Sequence, residues 1–95
     1  MKYAAIIAYT PDKEKILAVR PAHREYLLKK VAEGKVVLGG PLQDDVGAII
    51  VYAADSPAEA EEIVRHDPFC TAGVFVSWEI KPWNLLLCNR ELLPA

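Results

Sequence analysis

The sequence predicts an α+β fold whose strands and helices follow the order βαββαβ. Three observations carry this prediction. Four apolar segments have the composition of strands, two segments between them have helical character, and a Ser-Pro pair opens the second of these. The order is that of a ferredoxin-like fold, which has a four-stranded antiparallel sheet.

The first strand and the first helix are predicted from the N-terminal third of the chain. YAAIIAY (3–9) is rich in β-branched and aromatic residues and ends at a Thr-Pro-Asp turn signal. DKEKILAV (12–19) is compatible with a short helical piece. Pro21 fits best in the first turn of a new helix, because its missing N–H costs nothing there. The main helix is therefore predicted over 21–33, with Gly34 as its cap.

The remaining elements follow in the same way. KVVLGGP (35–41) is predicted as a short strand stopped by its two glycines and proline, and LQDDVG after it as a polar loop. GAIIVYAAD (47–55) is the third strand. Ser56 as N-cap, Pro57 at the first position and Glu59 in a capping box predict a second helix that runs to about residue 65. GVFVSWEIKP (73–82) is the fourth strand.

The strands carry apolar residues on both faces. In 3–9 and in 47–55 both alternating registers are apolar, whereas a sheet with one solvated face alternates apolar and polar residues. No residues are left to build another layer, so the sheet of a second copy is the natural cover, and we expect a homodimer. The apolar C-terminal tail, 83–95, is expected to lie along the partner or over an open sheet edge.

Composition excludes several classes of function. The chain has 95 residues, enough for a single domain over 1–95, with 53% hydrophobic residues and a net charge of −2. Because Lys and Arg are scattered, no nucleic-acid partner is expected. No apolar run is long enough to predict a membrane span, and a cytoplasmic location is expected. Cys70 and Cys88 lack CxxC spacing and are interpreted as reduced thiols.

His23 and Asp67 are the candidate catalytic residues. At the start of the predicted helix 21–33, a histidine would tend to stay neutral and could accept a proton. Asp67 either only caps the turn that follows it or also holds one imidazole nitrogen of His23, which leaves the other nitrogen as a general base. Topology alone places these two residues at opposite ends of the helical layer. His23, His66 and Asp67 are not expected to bind a metal, because adjacent residues of an extended segment point to opposite sides.

Other residues are candidates for the border of a pocket. Arg20 either holds an anionic group of a substrate or forms an ordinary surface salt bridge. Gly39 and Gly40 lack the spacing of a phosphate loop and are interpreted as a turn that borders the pocket. Phe69 and Tyr9 are candidates for its lining.

Four short motifs resemble those of the YciI-like family of the dimeric α+β barrel superfamily. They are R-P-A-H (20–23), G-G-P (39–41), D-P-F followed by A-G-V (67–74) and K-P-W (81–83). The resemblance covers nearly the whole chain. It implies a dimeric α+β barrel in which His23 and Asp67 form a pair in a pocket between sheet and helices. Where family members carry a hydroxyl residue after a glycine, this chain has Ala48.

The resemblance also indicates a function. It implies a small enzyme, working without a cofactor, in which His23 is a general acid or base oriented by Asp67. Its substrate is a small organic molecule, which the superfamily's isomerases and dehydrochlorinases suggest is cyclic or aromatic. Arg20, Gly40, Pro41 and Phe69 are the expected substrate-binding residues. The alternative is a non-enzymatic dimer that binds a small ligand, or regulates, through the same pocket.

Overall fold

The computed structural model describes residues 1–94 and shows a four-stranded antiparallel sheet with helices. In spatial order the strands are β2, β3, β1 and β4. The strands are β1 (Lys2–Tyr9), β2 (Val36–Pro41), β3 (Gly47–Ala53) and β4 (Phe75–Trp83), and the helices are α1 (Lys13–Ala32), α2 (Pro57–Arg65) and α3 (Pro68–Thr71). Short 3₁₀ turns lie at Gln43–Asp45 and Arg90–Leu92. The predicted α+β, ferredoxin-like fold class is confirmed.

The first helix differs from the prediction. The segments 12–19 and 21–33 form one continuous helix, α1, and Pro21 lies inside it. Asp12 caps α1 by accepting a hydrogen bond from the Lys15 N–H at 3.1 Å. An interior proline removes one helical hydrogen bond, but Pro21 and Leu17, four residues before it, are both exposed, so water can reach the carbonyl that Pro21 leaves free.

The two glycines of the second strand also differ from the prediction. Gly39 and Gly40 belong to β2 and pair with Ile50 and Ile49 of β3, so they do not form a turn. A Cβ atom on Gly39 would lie 3.1 Å from the Ile49 carbonyl oxygen and from Ile50, whereas one on Gly40 would meet no atom within 4 Å. A side chain at Gly39 would therefore crowd the backbone of β3, which glycine avoids.

The second helix begins as its sequence predicts. The Ser56 hydroxyl accepts a hydrogen bond from the Glu59 N–H at 3.1 Å, and the Glu59 carboxylate accepts one from the Asp55 N–H at 3.3 Å. This is a capping arrangement in which the return bond falls one residue earlier than in the standard box. The helix α3, which directly precedes β4, was not predicted.

The core lies between the helices and one face of the sheet. Tyr3, Ala5, Ile7 and Tyr9 of β1 are buried on this face, together with Ala48, Ile50 and Tyr52 of β3. On the opposite face Ile6 and Ile49 pair across β1 and β3 and remain 59% and 44% exposed. The apolar second face that the sequence predicts is therefore present, and within the described chain it is exposed at Ile6 and Ile49, although Val51 on the same face is buried.

The C-terminal tail follows β4 and keeps apolar side chains in solvent. Leu86 and Leu87 are 84% and 89% exposed, so the described part of the chain does not bury them. Ala95, the last residue of the predicted tail, lies outside the described residues. A position of the tail along a partner stays a prediction.

Candidate active site

Asp67 lies at the turn between α2 and α3 and is completely buried. Its Oδ1 atom accepts a hydrogen bond from the Phe69 N–H at 2.9 Å, so Asp67 is the N-cap of α3. Pro68 occupies the first helical position, where a missing N–H is harmless. The capping role considered from the sequence is thus observed.

The same oxygen of Asp67 also contacts His23. The distance between His23 Nδ1 and Asp67 Oδ1 is 2.7 Å, and the His23 side chain is only 8% exposed. A carboxylate oxygen accepts hydrogen bonds, so Nδ1 is the protonated nitrogen that donates to Asp67, and Nε2 is the ring nitrogen that this bond leaves free. Phe69 stacks on the imidazole with ring centroids 3.8 Å apart and an interplanar angle of 8°.

The positions of His23 and Asp67 in the fold differ from two expectations of the sequence analysis. His23 lies in the middle of α1, so the argument that a helix N-terminus keeps it neutral is wrong. Asp67 does not remain at the far end of the helical layer either. Because α3 packs against α1, the chain leaving α2 turns back toward the middle of the first helix before it enters β4.

A cavity of about 190 Å³ opens beside the pair. His23 lines it, and so do all four residues predicted to bind substrate: Arg20, Gly40, Pro41 and Phe69. Tyr9 lines it as well. The sequence reasoning missed Arg24, Leu27 and Ile50, which complete the lining together with Gly39 and Ala48. Arg24 had a detectable signal, since it follows Arg20 by four residues and therefore lies on the same side of a helix.

Arg20 lines the cavity and also forms a salt bridge, which the sequence analysis gave as the alternative to binding a substrate. Its guanidinium donates to Asp45 Oδ1 at 2.6 Å. Asp44 and Asp45 have left-handed backbone angles, with φ of 65° and 52°, and the Lys13 ammonium donates to the carbonyl oxygens of both. The loop after β2 thus holds a carboxylate against Arg20, and among residues 1–94 Nη2 is the only nitrogen of Arg20 that forms a hydrogen bond.

The hydroxyl of Tyr9 adds a neutral donor to the cavity. Burial raises the pKa of Tyr9 to about 12, although the nearby Arg20 guanidinium opposes this shift. Tyr9 therefore keeps its proton at neutral pH. Its ring packs edge-on against Phe69 at 5.4 Å and stacks on Phe75 at 5.9 Å, and Phe69 in turn stacks on the His23 imidazole.

Two polar atoms behind the cavity have no partner among residues 1–94. They are Asp67 Oδ2 and the Tyr52 hydroxyl, both fully buried. Burial, followed by the nearby Asp67 carboxylate, raises the pKa of Tyr52. Asp67 belongs to the His23–Asp67 pair and Tyr52 lies near it, and at each of them an oxygen atom is shielded from water.

Neither a metal-binding cluster nor a membrane-spanning helix is found in the described part of the chain. Residues 1–94 contain no group of three His, Cys, Asp or Glu side chains placed to hold a metal ion. His66 is exposed, and its Nδ1 lies 2.8 Å from the Glu62 carbonyl oxygen rather than at the pair. Cys70 and Cys88 are free thiols. Of the helices in this part of the chain, none has the length and apolar character to cross a bilayer.

The fold and this site define a small α+β protein with a buried His–Asp pair at the edge of a cavity. The chain belongs to the family of the YCII-related domain, whose model matches residues 1–84. Protein YciI of Escherichia coli O6:H1 is 30% identical, over 82% of this chain and 94% of the relative. Protein YjpA of Bacillus subtilis is 38% identical, over 66% of this chain and 73% of the relative.

A solved structure extends the similarity to an enzyme. The 5-chloro-2-hydroxyhydroquinone dehydrochlorinase TftG of Burkholderia phenoliruptrix AC1100, in complex with 2,5-dihydroxybenzoquinone, matches with a TM-score of 0.79 and 26% sequence identity. The match covers 88% of this chain and 94% of TftG. This chain is therefore similar in fold to a protein that acts on a small ring compound.

Proposed function

We propose that this protein is a small enzyme in which His23 and Asp67 perform general acid–base chemistry on a small cyclic or aromatic compound. The observation that carries the proposal is the buried contact of 2.7 Å between His23 Nδ1 and Asp67 Oδ1, next to a cavity that His23 lines. The structural similarity to a dehydrochlorinase supports the choice of substrate class.

The chemistry follows from the two nitrogens of the imidazole. Nε2 takes a proton from a carbon or oxygen acid that a neighbouring carbonyl or ring activates, and the electrons of the broken bond delocalise into the substrate as an enolate or phenolate. Asp67 stabilises the imidazolium that forms and keeps the ring in place. The proton then returns to another atom of the substrate, or a leaving group departs with the electron pair, which gives an isomerase or a lyase. These steps need no cofactor.

A homodimer is part of the proposal. Ile6 and Ile49 lie side by side on the uncovered face of the sheet, and burying them against the same face of a second copy removes apolar surface from water. The exposed leucines of the tail, Leu86 and Leu87, would gain cover in the same assembly. We also propose a cytoplasmic location, since both cysteines are free thiols.

The test is a screen of hydroxylated and halogenated ring compounds for consumption by the wild-type protein and by two histidine variants. His23→Ala is expected to lower turnover by about 10²-fold or more, the typical contribution of a positioned acid or base. His66→Ala is the matched control, because His66 is exposed and does not line the cavity. Equal turnover by both variants, or compounds that bind and are never converted, would exclude the enzymatic proposal, and the second result would favour a ligand-binding protein.

A further inference from the structure

One side of α1 presents two guanidinium groups to the cavity. Arg20, Arg24 and Leu27 are spaced by four and three residues, so they form one row along the helix, and all three line the cavity. His23 lines it from the neighbouring position. The catalytic imidazole of the proposed function therefore lies beside a pair of fixed positive charges.

Negative charge is missing from the lining. The residues around the cavity include two arginines, a histidine and a tyrosine but no Asp or Glu that faces it. Asp45 engages one nitrogen of Arg20 from outside the lining, which leaves the other donors of that guanidinium available. Arg24 forms no salt bridge within residues 1–94 and is exposed to solvent. The lining side chains therefore carry only positive charge, although Asp45 and Asp67 lie just outside the lining, and the unengaged fork of N–H donors of Arg24 matches an oxyanion.

The shape of the cavity restricts the size of that anion. Its volume of about 190 Å³ is only a little above the roughly 150 Å³ of an apolar protein cavity that accepts benzene. Flat groups surround it, since the Phe69 and His23 rings lie parallel and Pro41 and Gly39 contribute no long side chain. One substituted six-membered ring fills such a space.

We propose that the substrate is a small planar ring compound that carries an oxyanion, a carboxylate or a phenolate, and that Arg24 anchors this oxyanion with help from Arg20. The inference rests on the proposed function for the use of the site, and it adds the charge of the substrate and the residue that selects it. Arg24 positions the ring so that an acidic atom faces His23 Nε2. Tyr9, which remains protonated, donates a further hydrogen bond.

The test compares anionic ring compounds with neutral analogues of similar shape by calorimetry. Benzoate and benzamide probe the carboxylate form, and 4-nitrophenolate and 4-nitroanisole probe the phenolate form. The wild-type protein is expected to bind at least one of the anions about tenfold more tightly than its neutral analogue, as one charge-assisted hydrogen bond predicts. Arg24→Gln is expected to abolish most of this preference, and Arg20→Gln part of it.

Lys29→Gln is the matched control, because it removes one positive charge from an exposed position of the same helix outside the cavity. It is expected to change the preference less than twofold. Equal affinity for anion and neutral analogue, equal losses in Arg24→Gln and Lys29→Gln, or no binding of any probe at millimolar concentration would each overturn the inference. Anion preference without turnover of any ring compound would instead count only against the proposed enzymatic function, since binding is measured without catalysis.

Discussion

Replacing Asp67 by Asn separates the two interactions that its carboxylate makes. Oδ1 accepts one hydrogen bond from the Phe69 N–H at 2.9 Å and is 2.7 Å from His23 Nδ1. An Asn side chain has nearly the same shape and keeps an oxygen that can cap α3. It has no negative charge, so the bond to His23 becomes a neutral one.

The expected loss of stability can be worked from these contacts. Hydrogen bonds to a charged group contribute about 1.5–3 kcal/mol each and neutral ones about 0.5–1.5, so weakening the His23 and Phe69 bonds together removes roughly 2–3 kcal/mol. Burying an uncharged amide is less unfavourable than burying a carboxylate, which offsets part of that loss. Since Oδ2 has no partner among residues 1–94, the amide nitrogen that replaces it adds little change. We expect Asp67→Asn to lower the free energy of unfolding by about 1–2 kcal/mol, after this offset.

Urea denaturation at neutral pH measures this loss, and Asp12→Asn supplies the control. Asp12 caps α1 through the Lys15 N–H and has no histidine partner, so its replacement by an equally good capping residue should change stability by less than about 0.5 kcal/mol. In a His23→Ala background the Asp67→Asn loss should shrink by the share that the His23 bond contributes, because the partner that needed the charge is gone and only the Phe69 bond is still weakened.

Equal and small losses in Asp67→Asn and Asp12→Asn would refute the reasoning, since Asp67 would then act as a cap alone. A loss in Asp67→Asn that is unchanged by His23→Ala would refute it in another way. It would show that the charge stabilises the turn rather than the contact with the imidazole.

Three further outcomes can be measured. The pKa of Tyr9 is about 12 in the folded chain, and its ordinary value is 10.0, so unfolding at a pH between these two values releases a proton. Stability should therefore fall as the pH rises from about 10 to about 12, and Tyr9→Phe should show a shallower fall in alkaline denaturation. Ile49→Asp should give monomers by sedimentation velocity at micromolar concentration, while Leu28→Asp, an exposed helix position, should not; a wild-type monomer would refute the homodimer. Gly39→Ala should lower the free energy of unfolding by about 1–3 kcal/mol, because its Cβ would crowd the backbone of Ile49, whereas Gly40→Ala should be nearly neutral. Equal effects of the two changes in urea denaturation would contradict the close-approach argument.

Local signals in the sequence were enough to predict the order of the elements. β-Branched and aromatic residues bounded by turn signals identify the strands, and the Ser56-Pro57 pair identifies the start of α2, because each signal depends on neighbours a few residues apart. The apolar second face of the sheet was predictable for the same reason. The prediction failed at Pro21, where exposure allows a proline inside a helix, and at Gly39, where glycine permits close packing of strands instead of ending one.

The proximity of His23 and Asp67 could not be derived from the sequence pattern alone. Forty-four positions separate the two residues, and nothing in their spacing indicates that α3 turns the chain back against the middle of α1. The family resemblance supplied the pair, but the shared use of Oδ1 for capping and for His23 appears only in three dimensions. The cavity and its charge are tertiary as well. A row of α1, the three neighbouring strands β2, β3 and β1, and the short helix α3 each supply part of its wall, and the burial that sets the pKa of Tyr9 exists only when all of them are packed together.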